Sequence, residues 1–436
     1  MCQTHSVTDA GGLVVDPATR EAVQRRTLRV LWFSAVLGRG AVSSMFPVSV
    51  LAISELLGSS RFAGLSTGAS TVGSAIGAGV LAAFMQRRGR TPGIALGFGV
   101  PVLGGLLAIA AIQIGSIPLF LLAMVFVGVG AGTANLARYA AADLSTPERR
   151  GRDIGTVIFA STFGAVLFPL FIGVAGDVAE SVSLDENAGG FAMSIGLFGL
   201  AALGTWLFMR PDPLVVAGGV IARGATAADR AKNKAEAVGF REAVTIAWTN
   251  PLARLAFIAL VVSQAVMVMV MAMTPLHMKA HGHTTGTVGA VISVHTAGMF
   301  AFAAVAGRVS DRLGRLLTIG IGGATLIAAT ILTALAGEAP RVLMFPGLFL
   351  LGLGWSFGIV AGSALLTESV AEKDRVAVQG AADLSTNIAS GSGALASGVV
   401  LDMAGFHILS MVGMAAAGAL LVHAFFETKL NNARFA

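Results

Sequence analysis

Residues 307–315 read Gly-Arg-Val-Ser-Asp-Arg-Leu-Gly-Arg, a basic segment between the apolar stretches 285–307 and 315–336. Because an α-helix rises about 1.5 Å per residue, each stretch is long enough to cross about 30 Å of hydrocarbon. The segment is therefore predicted to be a loop between two transmembrane helices.

The composition of the whole chain agrees with a membrane protein. Of its 436 residues, 55% are hydrophobic and 12% are charged, whereas about a quarter of a soluble protein is charged. The single cysteine, Cys2, excludes a secreted disulfide scaffold. The chain contains no zinc-type His/Glu pair, phosphate loop or nucleophile elbow, so we expect neither an enzyme nor a bound cofactor.

Working outward from the loop, twelve apolar stretches can be counted, and they predict an all-α membrane protein with twelve transmembrane helices. The stretches are 28–51, 63–85, 92–113, 116–139, 154–176, 190–209, 251–276, 285–307, 315–336, 342–365, 378–401 and 405–426. A polar break separates the first six from the last six. The predicted units are a tail at 1–26, a six-helix bundle at 27–209, a linker at 210–249, a second six-helix bundle at 250–427 and a tail at 428–436.

The basic residues predict the orientation of these helices. If both termini lie on one side, only Arg61, Lys279 and Arg341 fall on the other side, and Arg39 and Arg138 fall within helices. The remaining 24 of the 29 Lys and Arg residues then share the side of the termini. By the positive-inside rule we expect both termini in the cytoplasm, and we attribute the basic net charge to this topology, not to a nucleic-acid partner.

The two halves of the chain repeat at an offset of about 225 residues. Segment 82–90, which ends Arg-Arg-Gly-Arg, falls on segment 307–315, and Gly128 falls near Gly352. In the same register Arg39 falls on Gln264. This agreement at one offset predicts two similar bundles.

Segment 307–315 resembles the signature loop G-x-x-x-D-R-x-G-R of the major facilitator superfamily, and the resemblance extends over about 27–430. It implies two six-helix bundles that rock around a midplane site with alternating access, usually in a monomer. The candidate gating residues of the loop are Asp311, Arg312 and Arg315. The first copy departs from the pattern, since Ala82 and Gln86 replace the first Gly and the Asp.

Methionine and histidine are concentrated in the seventh and eighth stretches. Met267 and Met271 are four residues apart and share one helix face, as do His295 and Met299. At about 1.5 Å per residue, Met267 lies about 12 Å below the outer end of the seventh stretch, and His295 lies about 15 Å below the outer end of the eighth. Thioethers and imidazole suit Cu(I) and do not suit Mg²⁺ or Ca²⁺.

The spacing alone is a weak signal, because His407 and Met411 match it too and methionine often serves only as a flexible apolar filler. The two motifs together, however, resemble those of CcoA-like transporters, copper importers that supply cytochrome c oxidase assembly in the bacterial inner membrane. This resemblance implies that copper is the transported substrate and that Met267, Met271 and His295, with Met299, carry it. The wider family also includes riboflavin transporters, so an organic solute carried with protons stays open as an alternative.

Two further groups are candidate sites. The loop between the seventh and eighth stretches holds His277, Met278, His281 and His283, which form either a shallow metal-capture site or an ordinary polar loop. Within the spans, polar groups are costly and are usually functional. Those at Arg39, Asn135, Arg138 and Asp383 are expected to bind an organic anion, relay protons or form gating ion pairs, such as Asp383 with either arginine.

Overall fold

A computed structural model describes residues 16–146, 149–217, 239–336 and 340–435, and its regular elements in these ranges are helices. The first half of the chain contains α1 (Pro17–Leu57), α2 (Leu65–Arg88), α3 (Arg90–Ile114), α4 (Ile117–Ala140), α5 (Arg150–Leu167), α6 (Ile172–Ser181) and α7 (Glu186–Phe208). Two short helices follow, α8 (Pro213–Val216) and α9 (Phe240–Thr249). The second half contains α10 (Pro251–Ala280), α11 (Thr285–Phe300), α12 (Ala303–Leu313), α13 (Arg315–Ala334), α14 (Pro340–Ser369) and α15 (Glu372–Phe435).

In the described part of the chain, eleven helical stretches are long and apolar enough to cross a membrane, and the last, Ala377–Leu430, has 54 residues. This stretch bends at Gly405, whose φ of 81° favours glycine. The chain reverses there, since Glu427 returns to form an ion pair with Arg254 at the start of α10. The eleventh and twelfth predicted spans therefore lie on either side of Gly405, and the all-α fold with two six-helix halves is confirmed.

The start of α1 differs from the prediction of a tail at 1–26. The helix begins at Pro17, where the Asp16 side chain accepts a hydrogen bond of 2.9 Å from the Thr19 amide. Two turns after Pro17, the buried Gln24 side chain donates to the Ala141 carbonyl oxygen at 2.7 Å. A helix cap and a buried polar contact thus extend α1 beyond the apolar stretch, so residues 17–26 of the predicted tail are helical, while residues 1–15 lie outside the described ranges.

The ends of the predicted linker 210–249 are helical where they are described, and residues 218–238 lie outside the description. Asp212 caps α8 and also accepts a hydrogen bond of 2.7 Å from the Thr91 amide, which attaches this segment to α3. The predicted tail 428–436 is a continuation of α15 as far as Phe435.

Close helix crossings recur in both halves at the predicted offset. A Cβ atom on Gly73 of α2 would overlap with the Val125 carbonyl oxygen of α4. A Cβ atom on Gly298 of α11, 225 residues later, would overlap with the Phe349 carbonyl oxygen of α14. Small residues allow transmembrane helices to approach closely, so each half contains the same glycine-mediated helix pair.

Ion pairs repeat in the same way at the loops. Arg90 at the start of α3 contacts Asp143 at 2.7 Å, and Arg315 at the start of α13 contacts Glu368 at 3.0 Å. Each arginine and each acid is 225 residues from its equivalent. These pairs join elements within one half and lie at the end of the molecule where α1 begins, which we term the termini side.

The opposite end, with the turns 58–64, 182–185 and 281–284, is termed the far side. Here the two halves are in contact: Lys279 of α10 forms an ion pair of 2.7 Å with Glu186 of α7. Nearer the middle, the Thr296 hydroxyl donates to the Ala165 carbonyl oxygen at 2.9 Å. The halves are therefore closed against each other on the far side.

The glycine crossing of α2 with α4 can be tested with a matched pair of variants. We expect Gly73→Ala to destabilise the protein by about 1–3 kcal/mol, the usual cost of overpacking. Gly79→Ala, on the same helix, is the control, because a Cβ atom there meets nothing within 4 Å. Thermal unfolding in detergent would measure both, and equal melting temperatures for the two variants would contradict the packing described.

Candidate functional site

A cavity of about 450 Å³ lies between the two halves at the middle of the helices. Its walls come from α1, α2, α4 and α5 of the first half and from α10, α11, α14 and α15 of the second. This volume is within the range of small-molecule binding sites, which is about 300–1,000 Å³.

The four residues of the predicted copper motifs all line this cavity. Met267 and Met271 reach it from α10, and His295 and Met299 reach it from α11. The structure therefore brings the four side chains to one space from two helices.

The two other methionines of α10 face elsewhere. Met273 is fully buried in the apolar core, and Met269 packs against the second part of α15, where its methyl carbon would lie 3.6 Å from a Cβ atom on Gly413. In contrast, Met45 of α1 and Met124 of α4 line the cavity from the first half. Sequence reasoning missed these two because neither belongs to a spaced motif.

The imidazole of His295 is fully buried and has a fixed orientation. Its Nδ1 lies 2.9 Å from the Leu348 carbonyl oxygen of α14. Because a carbonyl only accepts hydrogen bonds, Nδ1 carries the proton, and Nε2 of the neutral ring is left with its lone pair. Nε2 is buried and has no hydrogen-bond partner among the described residues. The close approach of the helices depends on Gly352, where a Cβ atom would overlap with the His295 carbonyl oxygen.

Another wall of the cavity is aromatic and polar. The Trp355 indole donates to the Gln264 side-chain oxygen at 2.7 Å, and the Gln264 amide donates to the Ser390 hydroxyl at 2.8 Å. The Phe300 ring lies edge-on to Trp355, with 5.9 Å between ring centres. The guanidinium carbon of Arg39 lies 5.4 Å from the centre of the Phe300 ring. This wall could hold a planar organic molecule by stacking and hydrogen bonding.

Apart from Arg39, three polar residues of the spans are predicted to be functional, and they belong to α4 and α15. Asp383 is exposed on α15, one turn before Asn387, which lines the cavity. Asn135 and Arg138 belong to α4, and their side chains lie outside the described residues. The ion pair of Asp383 with Arg39 or Arg138 stays a prediction.

The signature loop forms its contacts on the termini side. Arg315 donates to Asp311 at 2.7 Å and to Glu368 at 3.0 Å, so it joins the end of α12 to the end of α14. Arg312 is exposed. The loop arginine therefore stabilises the arrangement of three helix ends within the second half.

The predicted capture residues lie on the far side, where a depression of about 600 Å³ is lined by His277 and His281. The His277 ring stacks on Phe406 with 4.3 Å between ring centres, and Nδ1 of His281 lies 2.8 Å from the His277 carbonyl oxygen. Met278 is fully buried in the apolar core.

The fourth capture residue, His283, is half-buried just beyond α10. Within the ranges that the structure describes, no three His, Cys, Asp or Glu side chains are placed to hold a metal ion. The rings of His277 and His281 lie 4.3 Å apart between their centres, whereas Met278 packs in the core, and the capture site stays a prediction.

Glu186 forms a contact between the two halves that sequence reasoning missed. Its carboxylate accepts one hydrogen bond from the Lys279 ammonium group and a second, short one from the Thr285 hydroxyl of α11. Its partners are more than 90 residues away in the chain, so no local pattern could have identified them. The contact closes the far side of the cavity.

We expect Lys279→Met to favour opening of the far side, because it removes an ion pair between the halves. Partly exposed pairs contribute about 0.5–1 kcal/mol, so the ratio of open to closed molecules should rise roughly two- to fivefold. Spin labels on cysteines at Val182 and His281, in a Cys2→Ser background, would report the distance across the far side. Arg25→Gln is the control, since its ion pair with Glu21 lies within α1. An unchanged distance distribution for Lys279→Met would contradict a closing role.

Comparison with known proteins identifies the family. The family model described as Major Facilitator Superfamily matches residues 31–358 and 256–435. The chain is 33% identical over 401 residues to the uncharacterized MFS-type transporter YdeG of Bacillus subtilis, covering 92% of this chain and 91% of the relative. It is 27% identical over 372 residues to the riboflavin transporter RfnT of Brucella anthropi, covering 84% of this chain and 86% of the relative.

Solved structures with a similar fold include a POT family transporter in complex with 5-aminolevulinic acid, with a TM-score of 0.67 and 14% identity over 92% of this chain and 96% of that one. A D-xylose-proton symporter gives a TM-score of 0.64 with 18% identity over 92% and 96%. At these identities the likeness concerns the fold alone. With the family match and the relative at 33% identity, the chain belongs to the Major Facilitator Superfamily and is a membrane transporter of that type.

Proposed function

We propose that this transporter imports copper across the bacterial inner membrane by alternating access and supplies it for cytochrome c oxidase assembly. The observation that carries the proposal is the buried, unpartnered Nε2 of His295 in a cavity that three motif methionines also line. A metal-ligating histidine usually donates its other ring N–H to a carboxylate, a carbonyl or water. In His295, Nδ1 donates to the Leu348 carbonyl oxygen in the same way.

The donor set favours a soft cation. Thioether sulfur and imidazole nitrogen select Cu(I), whereas Mg²⁺ and Ca²⁺ require oxygen ligands. Among the described residues that line the cavity there is no Asp or Glu. Neutral ligands also avoid the cost of burying carboxylates in the membrane.

The charges and the closed far side support an assignment of the two ends of the protein to the two sides of the membrane. The positive-inside rule favours a cytoplasmic termini side, with Arg90 and Arg315 at its loops. On this assignment the contact of Lys279 with Glu186 closes the periplasmic side, and this form of the protein would be inward-facing. A copper ion would bind at the middle when the far side is open and would leave toward the termini side after closure.

Replacing the motif residues tests the copper proposal. We expect Met267→Leu, Met271→Leu, Met299→Leu and His295→Ala each to lower uptake of radioactive copper about tenfold or more, because each removes a ligand. Leucine conserves the apolar volume of methionine, so folding should be little affected. Met269→Leu and Met273→Leu are the matched controls on α10, since neither side chain is among the described residues that line the cavity. Wild-type copper uptake in all four motif variants, with normal amounts in the membrane, would contradict the proposal.

The second candidate is proton-coupled transport of an organic solute such as riboflavin. It is favoured by the aromatic and amide wall of Trp355, Phe300 and Gln264, and by the relative that is a riboflavin transporter. In this case the methionines of the cavity serve as flexible apolar packing.

One variant separates the two candidates. Trp355→Phe conserves an aromatic ring and removes the hydrogen bond to Gln264, so it alters the wall without touching the motif residues. Under the copper proposal, copper uptake should stay within about twofold of the wild type, as expected for loss of roughly 0.4 kcal/mol or less. A loss of riboflavin uptake in Trp355→Phe, with no copper uptake in the parent protein, would establish the organic solute.

A further inference from the structure

A groove of about 590 Å³ runs along the flank of the first half, between α1 and α7. Its walls are apolar and exposed: Phe33 is 62% exposed, Leu200 58% and Leu203 54%. In a chain that crosses the membrane, this flank faces hydrocarbon. The groove lies outside the central cavity, and neither the copper nor the organic-solute proposal uses it.

Two arginines, Arg26 and Arg29, line the termini-side end of the groove. Nε of Arg26 donates to the Phe208 carbonyl oxygen at 2.8 Å, which fixes that guanidinium beside the end of α7. Among the described residues, Arg26 and Arg29 form no ion pair, whereas the neighbouring Arg25 is paired with Glu21. The groove thus ends in two positive charges whose terminal N–H groups can donate to an outside ligand.

The groove is held open by the helices that form it. Beneath it, the Ser34 and Thr205 hydroxyls form a buried hydrogen bond of 2.8 Å that joins α1 to α7. Gly204 lines the groove, and a Cβ atom there would meet nothing within 4 Å. A glycine beside a fixed helix contact leaves space that a narrow apolar chain can occupy.

We propose that this groove binds one anionic phospholipid, with an acyl chain along the apolar wall and the phosphate against Arg26 and Arg29. Guanidinium groups pair strongly with phosphate oxygens, and basic pockets between transmembrane helices bind anionic headgroups. A second copy of the chain does not match this face, because a two-fold contact would bring the same arginines together. A zwitterionic lipid has no net charge to compensate the arginines.

Native mass spectrometry of the purified protein with phosphatidylglycerol or phosphatidylcholine tests the charge. We expect the wild type to retain one phosphatidylglycerol in preference to phosphatidylcholine. Arg26→Gln with Arg29→Gln should weaken phosphatidylglycerol binding about thirtyfold, because each arginine near the membrane surface contributes about a fivefold factor. Arg87→Gln with Arg88→Gln removes the same charge on the termini side, away from the groove, and should bind as the wild type does.

A second variant tests the shape of the groove without altering its charge. Gly204→Leu should fill the space and lower phosphatidylglycerol binding, and it should abolish the rise in melting temperature that bound lipid gives the wild type. Gly196→Leu is the matched control on α7, because a Cβ atom there also meets nothing within 4 Å. The proposal is overturned if the wild type binds both lipids equally, if a second copy of the chain covers the groove, or if the groove variants bind phosphatidylglycerol as their controls do.

Discussion

Among the described residues that line the cavity in the middle of this transporter, His295 alone carries an imidazole, and the hydrogen bond of this ring to the Leu348 carbonyl oxygen determines what the ring can do. The bond uses Nδ1 as a donor, so Nε2 remains a base in a place where no described protein group donates to it. The contact exists because α11 and α14 cross through Gly298 and Gly352, which allow the two backbones to approach. Packing between two helices thus sets the chemistry of a side chain that lines the cavity.

The internal repeat gives each motif residue of the cavity a counterpart in the first half. The positions 225 residues before the motif residues are Val42, Phe46, Ser70 and Ser74, and all four line the same cavity from the first half. The two halves therefore present equivalent surfaces to each other, but at these four positions only the second half carries sulfur and imidazole. The scaffold positions, such as Gly73 with Gly298, stay alike because helix crossing constrains them, whereas lining positions are free to diverge with the transported substrate.

The sequence predicted the fold well, because the length of an apolar stretch identifies each membrane-spanning helix separately and the placement of arginine indicates its orientation. It predicted less of the site, since a four-residue spacing does not say which helix face meets the other half. His407 and Met411 have the same spacing as His295 and Met299, yet Met411 is 47% exposed on the flank of the molecule. The contact of Glu186 with the second half depends on partners that are distant in the chain. The start of α1 at Pro17 depends on a cap that lies outside the apolar stretch.

Under the copper proposal, the placement of all four motif residues in the second half has a mechanical consequence. When the halves rock about each other, α10 and α11 move as parts of one body, so the ligand set stays assembled while access to it changes. The contacts that must break belong to the boundary between the halves, such as Lys279 with Glu186 and Thr296 with Ala165. Met45 and Met124, which face the site from the first half, would then approach the ion or withdraw from it as the halves move. Binding is thus separated from gating: the second half holds the ion, and contacts between the two halves open and close the path to it.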